Sequence, residues 1–514
     1  MKKVVIIGAG IGGIATASYL AKSGYDVHVY EKLDYAGGRA GVLDVDGFHF
    51  DTGPSWYLMP EVFEHYFKLM GVTADEVLNL IRLDPAYKVY FGTGEPIVIT
   101  ADQQQNRDTF EQIEPGAGEK LRRYVRQAGK AYDLSMKHFL YTNFQTLSEF
   151  IKLDIFKQGP NMLRLSLTSY DREVSRFFTD SRLKRVLEYS SVFLGSSPFE
   201  TPGIYTLMAA LDYRDGVFYP RGGIYAVVEA MAHLSKVAGV TYHLNEPVAQ
   251  IIVEDKLATG IKLESSEVVS ADIVISNADL HFTETKLLET QWQTYPESYW
   301  KPRNPGPSAL MMYLGVKGTL PELEHHDLLF VDEWRENFDA IYKTKQIPRP
   351  ASIYISRATA TDPDFAPKGH EALVVLVPFP AGYDISKAER ETLADEYLRD
   401  IERMTGINDL SERIVSRTIM TPGDFSTQYN SWQGGALGPA HILKQTAILR
   451  TGNYSKKVRN LYYVGGATIP GIGVPMVIIG AELVYKRIIG DIRGGMIKQL
   501  TSVATIYKVT KKKK

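Results

Sequence analysis

Six residues near the start of the chain, Gly8-Ala9-Gly10-Ile11-Gly12-Gly13, have the types and spacing to hold a pyrophosphate. Gly8 permits a tight turn. Gly10 has no Cβ, so backbone N–H groups can approach phosphate oxygens, and Gly13 lets a helix lie close to the strand before it. A helix starting here offers its unpaired N–H groups and positive dipole end to the anion. Glu31 adds a carboxylate that can accept hydrogen bonds from both hydroxyls of a ribose. The chemistry is that of a dinucleotide site, and NAD and FAD both remain open on these residues alone.

Such residues work only if a strand, a turn, a helix and a second strand hold them. Val4-Val5-Ile6-Ile7 is fully apolar, as suits a buried parallel strand. Ile14, Ala17, Leu20 and Ala21 follow helical spacing, and Gly24 stops the helix. Residues 26–30 read as a second strand ending on Glu31. A lone G-x-G-x-x-G is a weak signal; here strand, helix, strand and acid come in the required order.

A second strand–glycine–helix unit lies near the other end. Leu461-Tyr462-Tyr463-Val464 is followed by Gly465-Gly466-Ala467-Thr468, then Ile469-Pro470-Gly471-Ile472-Gly473-Val474-Pro475-Met476. The spacing predicts a helix over 477–489. Its N-terminal approach at Gly473 to Met476 would set positive dipole against negative charge developing on a bound group.

The chain has 514 residues, too many for one core, so two or three domains are expected. Hydrophobic content is 44%, charged content 23% and net charge −2, the balance of a folded globular protein with no global field for nucleic acid. There is no Cys, which excludes disulfides, thiolate catalysis and Cys-ligated metal. No leader precedes the first strand and no run of 18 apolar residues occurs, so cytoplasmic residence is expected. The 31 Tyr and 21 Phe are enough to build cores and also line a large apolar pocket.

Between the two glycine units the pattern changes. Residues 101–213 are largely helical. Strand signals return at 240–244, 249–253, 257–263 and 268–276, then at 309–315, 351–356 and 372–377. The expected fold class is α/β: a Rossmann-like nucleotide domain, a discontinuous mixed-sheet substrate domain and an inserted helical subdomain. The expected division is 1–100, 214–280 and 420–493 for the nucleotide domain, 101–213 for the insert, 281–419 for the substrate domain and 494–514 for a basic tail.

Longer motifs narrow the reading. Glu31 is followed, after five residues, by Gly37-Gly38-Arg39; Phe50-Asp51-Thr52-Gly53-Pro54-Ser55, Gly216 to Gly223 (GVFYPRGG), Ala271 to Asp279 (ADIVISNAD) and Asn460 to Glu482 (NLYYVGGATIPGIGVPMVIIGAE) come after it. In sequence and order they resemble the bacterial-type phytoene desaturases of the FAD-dependent amine oxidase/phytoene dehydrogenase superfamily, over nearly the whole chain. The sequence departs from many members where Ile469 stands for a His and Met476 for a Gly, which leaves open which polyene is used and how many steps are run.

The resemblance implies FAD, held by Gly8, Gly10, Gly12, Gly13, Glu31, Lys32, Gly38 and Arg39 at the ADP end. Val248 would pass the adenine. Pro54, Ser55, Gly465, Gly466, Gly473, Val474, Pro475 and Met476 would attend the flavin. It implies dehydrogenation of an apolar polyene, with a quinone or oxygen as final electron acceptor and a membrane surface as partner. A hydrophobic stretch with interleaved charges at 139–156 fits an interfacial helix, and equally a helix burying one face in its own subdomain. The lysines Lys508 and Lys511 to Lys514 form a basic arm suited to anionic lipid. No single acid or base is indicated; Asp171, Asp212, Arg214 and Asp215 are the candidates in or just after the insert. Alternatives are another FAD-dependent carotenoid oxidase or isomerase of the same fold, or a non-enzymatic prenyl-binding protein resembling GDP-dissociation inhibitors.

Overall fold

The computed structural model describes residues 1–92, 94–143, 164–383 and 385–502. The first strand, Lys3–Ile7, lies in the middle of a five-stranded parallel sheet. Asp26–Tyr30 and Thr241–His243 lie on one side of it, Ile273–Ser276 and Leu461–Tyr463 on the other. The sheet therefore joins both ends of the chain to its middle. All-apolar strands need cover on both faces. The helix Ile11–Lys22 supplies it on one, with every residue from Ile11 to Ala21 buried.

That helix packs between Gly223–Val237 and the last helix, Val474–Ile489. Tyr19 meets the rings of Tyr66 and Tyr485, and Ser23 Oγ lies 2.9 Å from Tyr485 Oη. The last helix begins at Val474, three residues earlier than its hydrophobic pattern predicts. Pro475 sits in its first turn, where the missing N–H costs nothing because that donor would be unpaired anyway.

The second sheet has seven strands in the order 414–420, 307–317, 370–380, 353–357, 326–330, 87–91, 97–99. It is antiparallel except where His326–Phe330 runs beside Tyr87–Phe91. Tyr87–Phe91 and Ile97–Ile99 thus belong to this second sheet, although they fall before the expected boundary at 100. They complete a sheet edge that their own local sequence does not identify.

Side-chain alternation gives this sheet two different faces. Leu373, Val375, Val377 and Phe379 pack under the helix Lys387–Thr405 in a dry core with Leu393, Tyr397 and Ile401. Val374, Leu376 and Pro378 face the opposite way, into a cavity.

A third, three-stranded antiparallel sheet is made of Val248–Glu254, Leu257–Leu263 and Val268–Ser270. The expected single strand over 268–276 is two strands. The chain leaves the small sheet after Ser270 and enters the nucleotide sheet at Ile273. Helices and short helical turns dominate the described residues between Gln103 and Asp215. Of the hydrophobic stretch at 139–156, residues 144–156 lie outside the described residues, as do Lys508 and Lys511 to Lys514.

Candidate active site

The first glycine turn is closed by its neighbours. The Gly8 N–H donates to the Tyr30 carbonyl, and the Gly37 N–H to the Ala9 carbonyl. A Cβ on Gly13 would stand 2.2 Å from the Gly8 carbonyl oxygen, so the helix can begin this close to the strand only with glycine there. Gly10 is the N-cap of the helix and no side chain caps it. The helix N–H groups and dipole therefore face open space.

Glu31 is buried and already holds the turn, accepting from the Ala9 N–H at 2.7 Å and the Leu33 N–H at 2.9 Å. Burial raises its pKa from the ordinary carboxylate value, and these amide bonds oppose the rise. Each carboxylate oxygen keeps a lone pair for a further donor.

Arg39 reaches across from the Gly37-Gly38 loop. It donates to Ser431 Oγ and lies 3.8 Å from Asp279, while its Nε is buried with no partner among the described residues. Burial lowers its pKa and the Asp279 carboxylate raises it. An unpaired guanidinium N–H beside an uncapped helix N-terminus fits a bound phosphate.

All but one of the expected FAD residues line a single cavity of about 990 Å³. Gly8, Gly10, Gly12, Glu31, Lys32, Gly38 and Arg39 are among its lining. Val248 lies beside them. Pro54, Ser55, Gly465, Gly466, Gly473, Val474, Pro475 and Met476 line it as well. Gly13 does not line the cavity; it acts behind it, through the close helix contact just described.

The candidate acids and bases are not brought to the cavity. Arg214 pairs with Asp215 at 2.7 Å and Asp133 at 2.9 Å. Asp171 sits in the first turn of a short helix. Asp212 is buried behind Tyr189, whose hydroxyl donates to it at 2.7 Å, and burial pushes its pKa up to about 7.

Three contributors escape the motif reading. Asn277 fills the space beside Gly10, Gly12 and Gly13 and donates to the Gly8 carbonyl at 3.3 Å, so it ties the first turn to the end of the strand Ile273–Ser276. Its position in the ADIVISNAD run was legible, but its contact was not. The second is a polar chain that starts at the cavity wall: Ser55 Oγ lies 2.6 Å from Tyr354 Oη, and Tyr354 Oη lies 2.8 Å from His326 Nδ1. The Trp56 ring stacks on His326 at 4.2 Å. Burial holds His326 neutral, its pKa well below the usual imidazole value.

The third is His441. Ile469 stands where a motif histidine is common, yet an imidazole still supports this turn from outside the motif. His441 Nε2 accepts from the Ile472 N–H at 3.3 Å, and a Cβ on Gly471 would lie 2.3 Å from the ring. Tyr205 Oη lies 2.8 Å from its Nδ1. No sequence spacing links residues 205, 441 and 472.

The comparisons with known proteins agree with this geometry. The family model for flavin containing amine oxidoreductases matches residues 11–488. The chain is 39% identical to a carotenoid 3,4-desaturase from Haloarcula japonica, covering 95% of this chain and 98% of the relative. It is 34% identical to a zeta-carotene-forming phytoene desaturase from Myxococcus xanthus, covering 98% and 97%. Putrescine oxidase, solved with putrescine bound, shares the fold at a TM-score of 0.62 and 17% identity over 96% of this chain and 98% of that one. With the family model matched over residues 11–488 and relatives matched over nearly their whole length, the chain belongs to the flavin containing amine oxidoreductase family, in its phytoene-desaturase branch, with FAD as its cofactor.

Proposed function

We propose that the protein is an FAD-dependent carotenoid desaturase, which converts a CH–CH unit of phytoene or a related polyene into a conjugated double bond. The observation that carries this reading is the lining of the cavity. One cavity is lined both by the glycine cradle and by apolar side chains of the seven-stranded sheet and the helix after one of its strands, among them Met311, Leu376, Phe330 and Phe338. A hydrocarbon substrate offers no polar handle, so its binding comes from burying apolar area, about 25 cal/mol per Å².

FAD, when bound, accepts the hydride. The chain's residues do the rest. The Gly8 to Gly13 turn, Glu31 and Arg39 would hold the ADP end, and Pro54, Ser55 and the Gly465 to Met476 loop would hold the flavin end. The sheet face would lay the polyene along the flavin and exclude water. The electrons would pass on to a quinone or oxygen.

The experiment is expression in a cell supplied with phytoene, followed by pigment extraction and chromatography. The expected result is coloured polyenes together with a yellow, flavin-loaded protein. Unchanged phytoene alongside a flavin-loaded protein would refute the substrate; the number of new double bonds reads the number of steps.

Among the described residues no helix is long and apolar enough to cross a membrane. Peripheral contact is supported by an exposed apolar loop that borders the cavity. Ala447 and Ile448 line the cavity, and Leu443, Ile448 and Leu449 are 48%, 61% and 53% exposed beside it. Lys444 is exposed in the same loop, and Arg303 donates to its carbonyl at 3.4 Å. Apolar tips flanked by cations suit an anionic bilayer surface, from which a polyene would enter. Replacing Leu443, Ile448 and Leu449 together by Ser is expected to cut co-sedimentation with anionic vesicles at least tenfold while FAD stays bound. Unaltered sedimentation would show that this loop is not the contact.

A further inference from the structure

Arg450 is buried, yet it pairs with no carboxylate among the described residues. Its nitrogens donate only to backbone carbonyls: Nε to Thr468 at 3.3 Å, Nη1 to Gln445 at 3.2 Å, and Nη2 to Pro439 at 3.1 Å and Gly466 at 2.5 Å. Two of these acceptors, Gly466 and Thr468, belong to the C-terminal glycine turn and line the cavity. The guanidinium therefore stands one peptide layer behind the wall assigned to the flavin.

The groups that face it do not neutralise it. Tyr205 and Tyr299 are the nearest acids, and burial raises both phenols above their ordinary pKa. Arg303 is a second cation, stacked on Tyr299 at 4.1 Å. His441 is held neutral by burial and by Arg450 itself. Arg450 keeps its charge, its pKa lowered by burial only to about 10.

A buried ion without a counter-ion is costly. The cost is offset if the missing negative charge arrives with a ligand. The helix starting at Val474 adds its positive end on the same wall, with no side-chain cap. In a site of low dielectric these two sources of positive potential act over more than one layer of atoms.

We propose that Arg450 is an electrostatic positioning residue for the flavin: its unpaired charge, set behind the Gly465 to Met476 turn, favours the negatively charged reduced flavin and so raises the reduction potential of the bound cofactor. This rests on the FAD assignment above. The inference separates two roles for the turn, because glycine keeps the wall thin while an arginine outside the motif supplies the charge.

The test is made on FAD-loaded protein. Anaerobic dye equilibration reads the two-electron potential, and a titration with sulfite, which adds to electron-poor flavins, reads the same property spectroscopically. Arg450→Met and Arg450→Gln are each expected to weaken sulfite binding at least tenfold and to lower the reduction equilibrium by a similar factor, which is about 30 mV for a two-electron couple. Arg450→Lys keeps the charge and is expected to stay within threefold of wild type. If Arg450→Met does not fold, Arg450→Gln decides by the same criterion. FAD-loaded Met and Gln variants within twofold of wild type would overturn the inference alone, as would a Lys variant shifted as far as Gln. A wild-type chain that takes up no FAD would overturn the cofactor assignment and this inference together.

Discussion

Gly13→Ala is expected to give a chain that no longer retains FAD and unfolds at a lower temperature than wild type. The new methyl group would stand 2.2 Å from the Gly8 carbonyl oxygen and 3.1 Å from Asn277 Nδ2. The first obstacle is backbone in a turn hydrogen-bonded to Tyr30, so it cannot rotate aside. Relief requires the helix to move off the sheet. That helix is buried from Ile11 to Ala21 between two other helices, and overpacking such a site costs about 1–3 kcal/mol. Movement would also pull the helix N-terminus away from the place proposed for the FAD phosphates. The flavin-to-protein absorbance ratio after purification and a thermal melt read the two effects. Gly435→Ala is the control: it lies outside the cavity, and its added methyl would come no nearer than 3.4 Å to another atom. A Gly13→Ala protein with a full complement of FAD and an unchanged melting temperature would show that the close helix approach is not needed.

Leu376→Asp is expected to keep the fold and the flavin but lose at least tenfold in polyene conversion. Leu376 pairs with Met311 and Tyr354 across the sheet, and all three line the cavity. A carboxylate here stands where the hydrocarbon would lie. Binding the substrate would then strip water from a charge, or from the neutral acid that replaces it, with no partner to compensate. The neighbouring Val375→Asp should behave differently. Val375 is fully buried on the opposite face, in the core under the helix Lys387–Thr405. A carboxylate there costs several kcal/mol, a large share of the total stability of a domain. Val375→Asp is therefore expected to be insoluble or unfolded, and Leu376→Asp soluble and yellow. Leu376→Met, which conserves volume, should convert polyene at close to the wild-type rate. Full conversion by a flavin-loaded Leu376→Asp protein would move the substrate path away from this sheet face.

The fold class and both glycine turns were legible in the sequence because each is locally encoded. An apolar run, a glycine turn and helical spacing sit next to one another, and their meaning depends on neighbours a few residues away. Glu31, Arg39 and the Gly465 to Met476 loop could be singled out for the same reason. What had no local code was sheet membership and side-chain company. Residues 87–99 carry an ordinary strand pattern, and only pairing with His326–Phe330 assigns them to the second sheet. The run at 268–276 looks continuous, and only its two partners divide it. Asp212, Arg214 and Asp215 lie close in sequence to a stretch that enters the site, yet their side chains are taken up by Tyr189, Asp133 and one another.

The sequence by itself thus determined that a strand–glycine turn–helix unit lies near each end of the chain, since a tight turn and a close backbone approach require glycine whatever the surroundings. Tertiary structure alone decided which side chains support those turns. Asn277 packs against the first, and His441 and Arg450 stand behind the second, across long stretches of chain. Burial in a shared wall, not sequence spacing, sets an unpaired arginine there, and burial is a property that no single stretch of this sequence carries.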